Sequence, residues 1–129
     1  YQDERLAILQ GDFFNLTADH LKDVQGVFDR ASLVALPIDL RQRYSQHLKN
    51  ILPDQVKFLL VTFEYDQEQM NGPPFSVNEA EVLALYQETY EIKRLLTQDL
   101  LDSYPQFRSA GLTSLQEKAY LLISRKHVE

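Results

Sequence analysis

The sequence predicts an α/β fold, because apolar runs typical of strands alternate with segments of helical periodicity. Residues 56–63 are rich in β-branched and aromatic side chains and indicate a strand buried on both faces, as in a parallel sheet. Before this run, apolar residues recur at helical spacing at Leu40, Tyr44, Leu48 and Ile51. Right-handed crossovers between such elements would make much of the sheet parallel.

The first third of the chain contains two short predicted strands separated by a helical turn. An apolar run at residues 6–9, closed by a turn at Gly11, indicates the first strand. A second strand begins after Gly26 and runs through residues 27–28. Between them, Thr17 is a suitable N-cap for one or two turns of helix.

The clearest helix follows residues 31–36, an apolar segment whose pattern fits either a helix or a strand. Pro37 or Asp39 can begin this helix and Pro53 ends it, because proline is tolerated only in the first turn. Its polar side is predicted to carry Arg41, Arg43, Gln46 and Lys49.

The second half of the chain predicts a loop, a helix and two strands. Residues 64–75 are polar and include Gly-Pro-Pro, which indicates a loop. Residues 76–79, Ser-Val-Asn-Glu, have the spacing of a capping box at the start of the next helix. Apolar runs at residues 90–96 and 119–123 indicate strands, and a polar connection at residues 99–111 joins them.

Composition excludes several classes of function. The chain has 129 residues, 44% of them hydrophobic, and a net charge of −6, which suits one domain and disfavours nucleic-acid or anionic-membrane surfaces. No apolar run approaches the roughly 18 residues of a membrane helix. The absence of cysteine excludes disulfides and thiolate chemistry and fits a cytoplasmic protein. The three histidines lack metal-ligand spacing, and no serine lies in a G-x-S-x-G sequence.

Glycine and methionine are scarce. The four glycines are too far apart for a phosphate loop such as G-x-G-x-x-G, which argues against a complete nucleotide-type cofactor site in these residues. The only methionine is Met70, and the chain begins at Tyr1. We therefore expect a processed or truncated product.

Polar residues follow three of the predicted strands. They are Gly11-Asp12, Asp29-Arg30 and Glu64-Tyr65-Asp66. In an open α/β sheet, ligands bind at the carboxyl ends of the strands. Two interpretations stay open: these residues line a cleft, or they are the solvated ends of strands.

Five segments resemble the thiopurine S-methyltransferase family, above all its bacterial members. They are GDFFNL at 11–16, FDRASLVAL at 28–36, Tyr65-Asp66 with GPPFSV at 72–77, GLT at 111–113 and EKAYLL at 117–122. The resemblance covers nearly the whole chain in the right order. It implies an α/β, Rossmann-like class I S-adenosylmethionine-dependent methyltransferase sheet with mostly parallel strands and an antiparallel last strand.

The resemblance also assigns this chain a place within the family's domain. Residues 6–9 would be the third strand and residues 27–28 the fourth, so that residues 1–129 form one partial methyltransferase domain. The first two strands and the glycine-rich turn are expected upstream of Tyr1. We expect the full-length enzyme to be a monomer and a truncated chain to self-associate through exposed sheet edges.

Three residues are implied to form the donor side of the site. Asp12 and Phe13 match the family's adenine contacts, where a carboxylate accepts a hydrogen bond from the exocyclic amine and an apolar neighbour covers the ring. Arg30 matches an arginine beside both donor and acceptor. As the implied catalytic residue it would favour the anionic form of a thiol. The structural alternative for Arg30 is a local ion pair with Asp29.

Further residues are implied to contact the substrate. Pro73, Pro74 and Phe75 match a loop that borders the substrate pocket in the family. Phe75 could equally be a hydrophobic staple beside the helix cap. Arg108 lies near, but not on, the position of a second family arginine.

The resemblance implies methyl transfer from S-adenosylmethionine to the sulfur of a small aromatic or heterocyclic thiol. Selenium and tellurium species are other acceptors suggested by the bacterial relatives. No metal, nucleic acid or membrane is expected. The alternative is a truncated or diverged non-catalytic domain that binds an adenosine-type ligand weakly or self-associates.

Overall fold

The computed structural model describes residues 5–125, and its centre is a mixed four-stranded sheet. The strands are β1 (Gly26–Asp29), β2 (Lys57–Glu64), β3 (Tyr90–Asp99) and β4 (Gln116–Ser124), in the order β1-β2-β4-β3. β2 is parallel to β1, whereas β4 is antiparallel to both β2 and β3. Three strands thus share one direction and the last is reversed, which confirms the predicted arrangement.

The described residues also form three α-helices, α1 (Ile38–Ile51), α2 (Glu79–Tyr86) and α3 (Pro105–Ser109). α1 begins directly after Pro37 and ends before Pro53, as the two prolines predict. Thr17 caps a short 3₁₀ turn at the predicted place. The 3₁₀ turns are Phe13–Asn15, Ala18–Leu21, Leu33–Ala35, Gln67–Gln69 and Leu101–Ser103.

The main core lies on one face of the sheet, where α1 and α2 pack. Phe58, Leu60 and Thr62 of β2 point into it and are fully buried. The alternate residues Leu59 and Val61 are only half-buried. The prediction that this strand is buried on both faces therefore holds only for the face that carries Phe58, Leu60 and Thr62. This is the face on which α1 and α2 pack.

A smaller core lies under the connection from β3 to β4. Leu101 of this connection is buried together with Tyr65, Leu112 and Leu115. The polar connection predicted from the sequence is thus partly helical, and it covers apolar residues at the end of β2.

The strand predicted at residues 6–9 is not formed. Within this segment only Ala7 makes an isolated bridge, and Leu9 is 64% exposed. A strand requires a continuous ladder of hydrogen bonds to a neighbour, and residues 6–9 are not one of the four strands of the described sheet. The prediction relied on local hydrophobicity, which does not determine whether a segment pairs along its length.

The start of α2 differs from the predicted capping box. Asn78 is the N-cap, and its side chain accepts a hydrogen bond of 2.9 Å from the backbone N–H of Glu81. Ser76 instead forms a parallel bridge with Phe63, and its Oγ accepts a 2.9 Å bond from the N–H of Tyr65. The N-cap is therefore Asn78, two residues after the Ser76 that the Ser-x-x-Glu spacing indicates.

Arg41 does not lie on a solvated side of α1. It is only 5% exposed and forms an ion pair with Glu81 of α2. The prediction of a polar surface position was wrong because a carboxylate distant in sequence compensates the buried charge.

Candidate functional site

The end of β1, the Pro73-Pro74 loop and α3 border an open cleft of about 410 Å³. It is lined by Arg30, Ala31, Val34, Ala35, Phe63, Pro73, Pro74, Tyr104 and Phe107. Three of the predicted substrate contacts, Arg30, Pro73 and Pro74, therefore meet at one place although they are far apart in sequence.

Arg30 supplies the only charge among the described residues that line this cleft. Its side chain forms no ion pair with another residue between 5 and 125. The neighbouring carboxylate of Asp29 is buried and points elsewhere. It accepts hydrogen bonds from the N–H groups of Ser32 and Leu33, at 3.0 and 3.3 Å, and from the hydroxyl of Tyr44 at 2.7 Å. The local Asp29–Arg30 ion pair is therefore not formed, and the guanidinium is available to a ligand.

Aromatic rings form the wall contributed by β2 and α3. The rings of Tyr104 and Phe107 are stacked, with centroids 5.2 Å apart and 20° between their planes. Phe63 meets Tyr104 edge to face at 6.0 Å. Sequence reasoning missed these residues. Pro105 could have indicated Tyr104 and Phe107, because proline favours the first turn of a helix, and a helix that starts there places residues 104 and 107 on the same side.

The Pro73-Pro74 loop is fixed from both ends by hydrogen bonds. The hydroxyl of Tyr65 donates to the carbonyl of Pro74 at 2.7 Å, and burial raises the pKa of this tyrosine, so that it remains a donor. The N–H of Phe75 donates to the carbonyl of Val34 at 2.6 Å. The loop is thereby held against the turn that follows Arg30, which gives the cleft a defined width.

Phe75 lies outside the cleft. Its ring borders a neighbouring cavity with Pro37 and Ile38 and lies 5.9 Å from the guanidinium carbon of Arg41. It also lies close to Gly72, where a Cβ atom would come within 2.8 Å of the ring. The structure thus shows Phe75 packed against its own loop, in a position to set the loop's shape.

Arg108 also lies outside the cleft. Its guanidinium is 2.5 Å from a carboxylate oxygen of Asp102, and both side chains are largely exposed. The direct substrate contact predicted for Arg108 stays a prediction.

Asp12 and Phe13 lie at a second cavity, of about 680 Å³, which borders residues 8–13. One carboxylate oxygen of Asp12 accepts the N–H of Phe14 at 2.9 Å and caps the 3₁₀ turn Phe13–Asn15. The ring of Phe13 packs on Tyr44 and His47 at 4.9 and 5.3 Å. Asp12 and Phe13 thus border one cavity, and the adenine contact implied for them stays a prediction.

The described residues contain no cluster of side chains that could hold a metal ion. His47 bonds to the carbonyl of Leu16, His20 bonds to the N–H of Thr17, and His127 lies outside the described range. Between residues 5 and 125, none of the helices has the length and apolar character needed to cross a membrane.

Comparison with known proteins gives consistent matches. The sequence profile of the family described as thiopurine S-methyltransferase matches residues 1–126. The thiopurine S-methyltransferase of Nitrosospira multiformis is 49% identical over 118 residues, which are 92% of this chain and 54% of that protein. The corresponding protein of Methylococcus capsulatus is 43% identical over 117 residues, 91% of this chain and 53% of that protein. The chain thus spans about half the length of these curated relatives.

A solved structure with a similar chain course is that of Burkholderia thailandensis 1,6-didemethyltoxoflavin-N1-methyltransferase with bound 1,6-didemethyltoxoflavin and S-adenosylhomocysteine. The two align with a TM-score of 0.48 and 17% identity. The alignment covers 79% of this chain and 44% of that one.

Proposed function

Because this chain belongs to the thiopurine S-methyltransferase family, we propose that it forms the acceptor side of an enzyme that methylates the sulfur of a heteroaromatic thiol. The methyl donor of the family is S-adenosylmethionine, which when bound supplies an electrophilic methyl group on a sulfonium. The cleft at Arg30 is the observation that carries this proposal.

The cleft combines one free cation with apolar and aromatic walls. Tyr104 and Phe107 offer faces on which a planar ring can stack, and Pro73 and Pro74 border the opposite side. A guanidinium beside the sulfur stabilises the thiolate relative to the thiol and so lowers the pKa of the thiol. Its planar donors also suit the nitrogen atoms of a heterocycle.

This arrangement removes the need for a strong general base. Heteroaromatic thiols ionise near neutral pH, and Arg30 favours the ionised form further. The work left to the protein is to position the ring and to stabilise the charge on sulfur. Among the described residues, no histidine or carboxylate lines the cleft, which fits a reaction that needs no general base.

Asp12 and Phe13 are proposed to bind the adenine end of the donor. The free oxygen of Asp12 would accept a hydrogen bond from the exocyclic amine, and Phe13 would cover the ring. These two residues would supply the adenine part of the donor site. Phe75 is proposed to affect substrate binding from outside the cleft, through the shape of its loop. Arg108 is kept as a proposed substrate contact, although it lies outside the cleft in this structure.

A methyl-transfer assay tests the proposal. The purified protein is incubated with S-adenosylmethionine and a heteroaromatic thiol, and the products are separated by mass spectrometry. We expect the S-methylated product and S-adenosylhomocysteine, and no product from the oxygen analogue of the thiol. Calorimetric donor binding without turnover would instead favour the alternative of a non-catalytic adenosine-binding domain.

A further inference from the structure

Tyr44 of α1 contacts both parts of the proposed site. Its ring packs on Phe13, with centroids 4.9 Å apart, and its hydroxyl donates a 2.7 Å hydrogen bond to Oδ2 of Asp29. Tyr44 is 8% exposed and Asp29 is 3% exposed, so the hydrogen bond between them is shielded from water. One side chain therefore joins the Asp12–Phe13 loop to the end of β1.

The carboxylate of Asp29 determines the shape of the turn that carries Arg30. Its Oδ1 accepts the N–H groups of Ser32 and Leu33, while its Oδ2 accepts the hydroxyl of Tyr44. A buried carboxylate that loses one donor is strongly destabilised, because no water replaces the lost bond. The position of this turn thus depends on α1 through Tyr44.

The Asp12–Phe13 loop depends on the same helix. The ring of Phe13 packs on both Tyr44 and His47, and a ring nitrogen of His47 lies 2.8 Å from the carbonyl of Leu16. Burial, and then the negative charge of Asp29, raise the pKa of Tyr44, so that its hydroxyl stays protonated. The link between loop and turn is therefore present over the ordinary pH range.

We propose that Tyr44 is a positioning residue, which sets the distance between the Asp12–Phe13 loop and the turn that carries Arg30. Its importance for turnover rests on the proposed function, since methyl transfer requires donor and acceptor to be held at a fixed separation. The physical coupling of the two segments stands independently of any activity.

Amide hydrogen exchange of the chain tests the coupling. Tyr44→Phe keeps the ring and removes only the hydroxyl. We expect the amides of Ser32 and Leu33, and also those of Asn15 and Leu16, to exchange about tenfold faster, as the loss of one buried hydrogen bond to a charged group implies. Amides in the middle of β2 serve as the reference for global unfolding.

The matched control is Tyr86→Phe, because Tyr86 is fully buried but its hydroxyl has no hydrogen-bond partner among the described residues. It should leave exchange in both segments within about twofold of the parent. Faster exchange at Ser32 and Leu33 with unchanged exchange at Asn15 and Leu16 would overturn the proposed coupling.

The consequence for turnover is measured separately. We expect Tyr44→Phe to lower kcat about tenfold at a temperature where it is fully folded, with the KM for the thiol and the calorimetric Kd for S-adenosylmethionine changed less than about threefold. A purely structural role would lower Tm and leave kcat intact, which would contradict the proposal. If the parent itself gives no methylated product, the proposed function fails, while the exchange experiment still decides the coupling.

Discussion

Arg41 of α1 and Glu81 of α2 form a two-point ion pair across the main core. Nε of Arg41 lies 2.6 Å from Oε2 of Glu81, and Nη2 lies 3.2 Å from Oε1. The remaining nitrogen, Nη1, donates to the carbonyl of Leu36 at 2.9 Å. A single guanidinium thus holds the two helices and the segment that precedes α1 in one arrangement, and it lies beside the ring of Phe75.

Replacing Glu81 should destabilise the fold much more than replacing its exposed neighbour. Glu81→Gln leaves the buried charge of Arg41 uncompensated, and we expect a loss of about 2 to 3 kcal/mol in the free energy of unfolding. Glu79 lies in the same first turn of α2, but its pair with Arg94 is exposed, so Glu79→Gln should cost less than about 1 kcal/mol. Urea denaturation measures both, and equal losses would contradict the buried role of Glu81.

Replacing the N-cap residue of α2 should reduce stability by a smaller amount. Asn78→Ala removes the acceptor for the N–H of Glu81 and should cost about 1 kcal/mol, whereas Asn78→Asp keeps an acceptor and should stay near the parent. The exchange of the Glu81 amide identifies the cap directly. It should become faster in Asn78→Ala and stay unchanged in Ser76→Ala, while the opposite pattern would restore the capping box predicted at Ser76.

Elements that depend on local pattern were predictable from the sequence. The strand around Leu60 and the helix bounded by Pro37 and Pro53 are fixed by side-chain periodicity and by proline sterics, which act over a few residues. The segment at residues 6–9 has the same local hydrophobicity, but it is not a strand, because pairing is a long-range property. The burial of Arg41 was missed for the same reason.

The site was predictable only in part. Arg30, Pro73 and Pro74 were assigned through resemblance to a family, and the structure brings them into one cleft. Tyr104 and Phe107 were missed, because their segment is polar on average and the cleft depends on how α3 folds back toward β2. Composition and periodicity describe a segment's own conformation and give no information on which loops meet.

Stability should decrease above pH 10 through buried tyrosines. Burial, with the carboxylates of Glu79 and Glu64 adding to it, raises the pKa of Tyr120 to about 12. The unfolded chain releases this proton near pH 10, whereas the folded chain retains it. The contribution is therefore fully present below pH 10 and is lost as the pH rises toward 12.

The slope of this loss is roughly 1.4 kcal/mol per pH unit for one group between those pH values. Urea denaturation at pH 9 and pH 11 gives the difference for the parent, and Tyr120→Phe should show a smaller difference by about that amount per unit. Parallel losses in parent and variant would show that Tyr120 does not retain its proton on folding.

Arg30 provides the sharpest test of the site, because its charge and its geometry can be changed separately. Arg30→Gln removes the charge and should lower kcat/KM for the thiol roughly 10- to 100-fold, with donor affinity changed less than about threefold. Arg30→Lys keeps the charge but loses the planar donors, so its rate should lie between those of the parent and Arg30→Gln. Arg94→Gln, at an exposed position on β3, is the matched control for removal of one positive charge.

The pH dependence separates thiolate stabilisation from simple binding. If Arg30 lowers the pKa of the bound thiol, its loss raises that pKa, and the acid limb of the kcat profile moves to higher pH. If Arg30 only orients the ring, KM rises while the limb stays in place. If kcat/KM of Arg30→Gln equals that of the parent at every pH, Arg30 neither binds the thiol nor stabilises its thiolate.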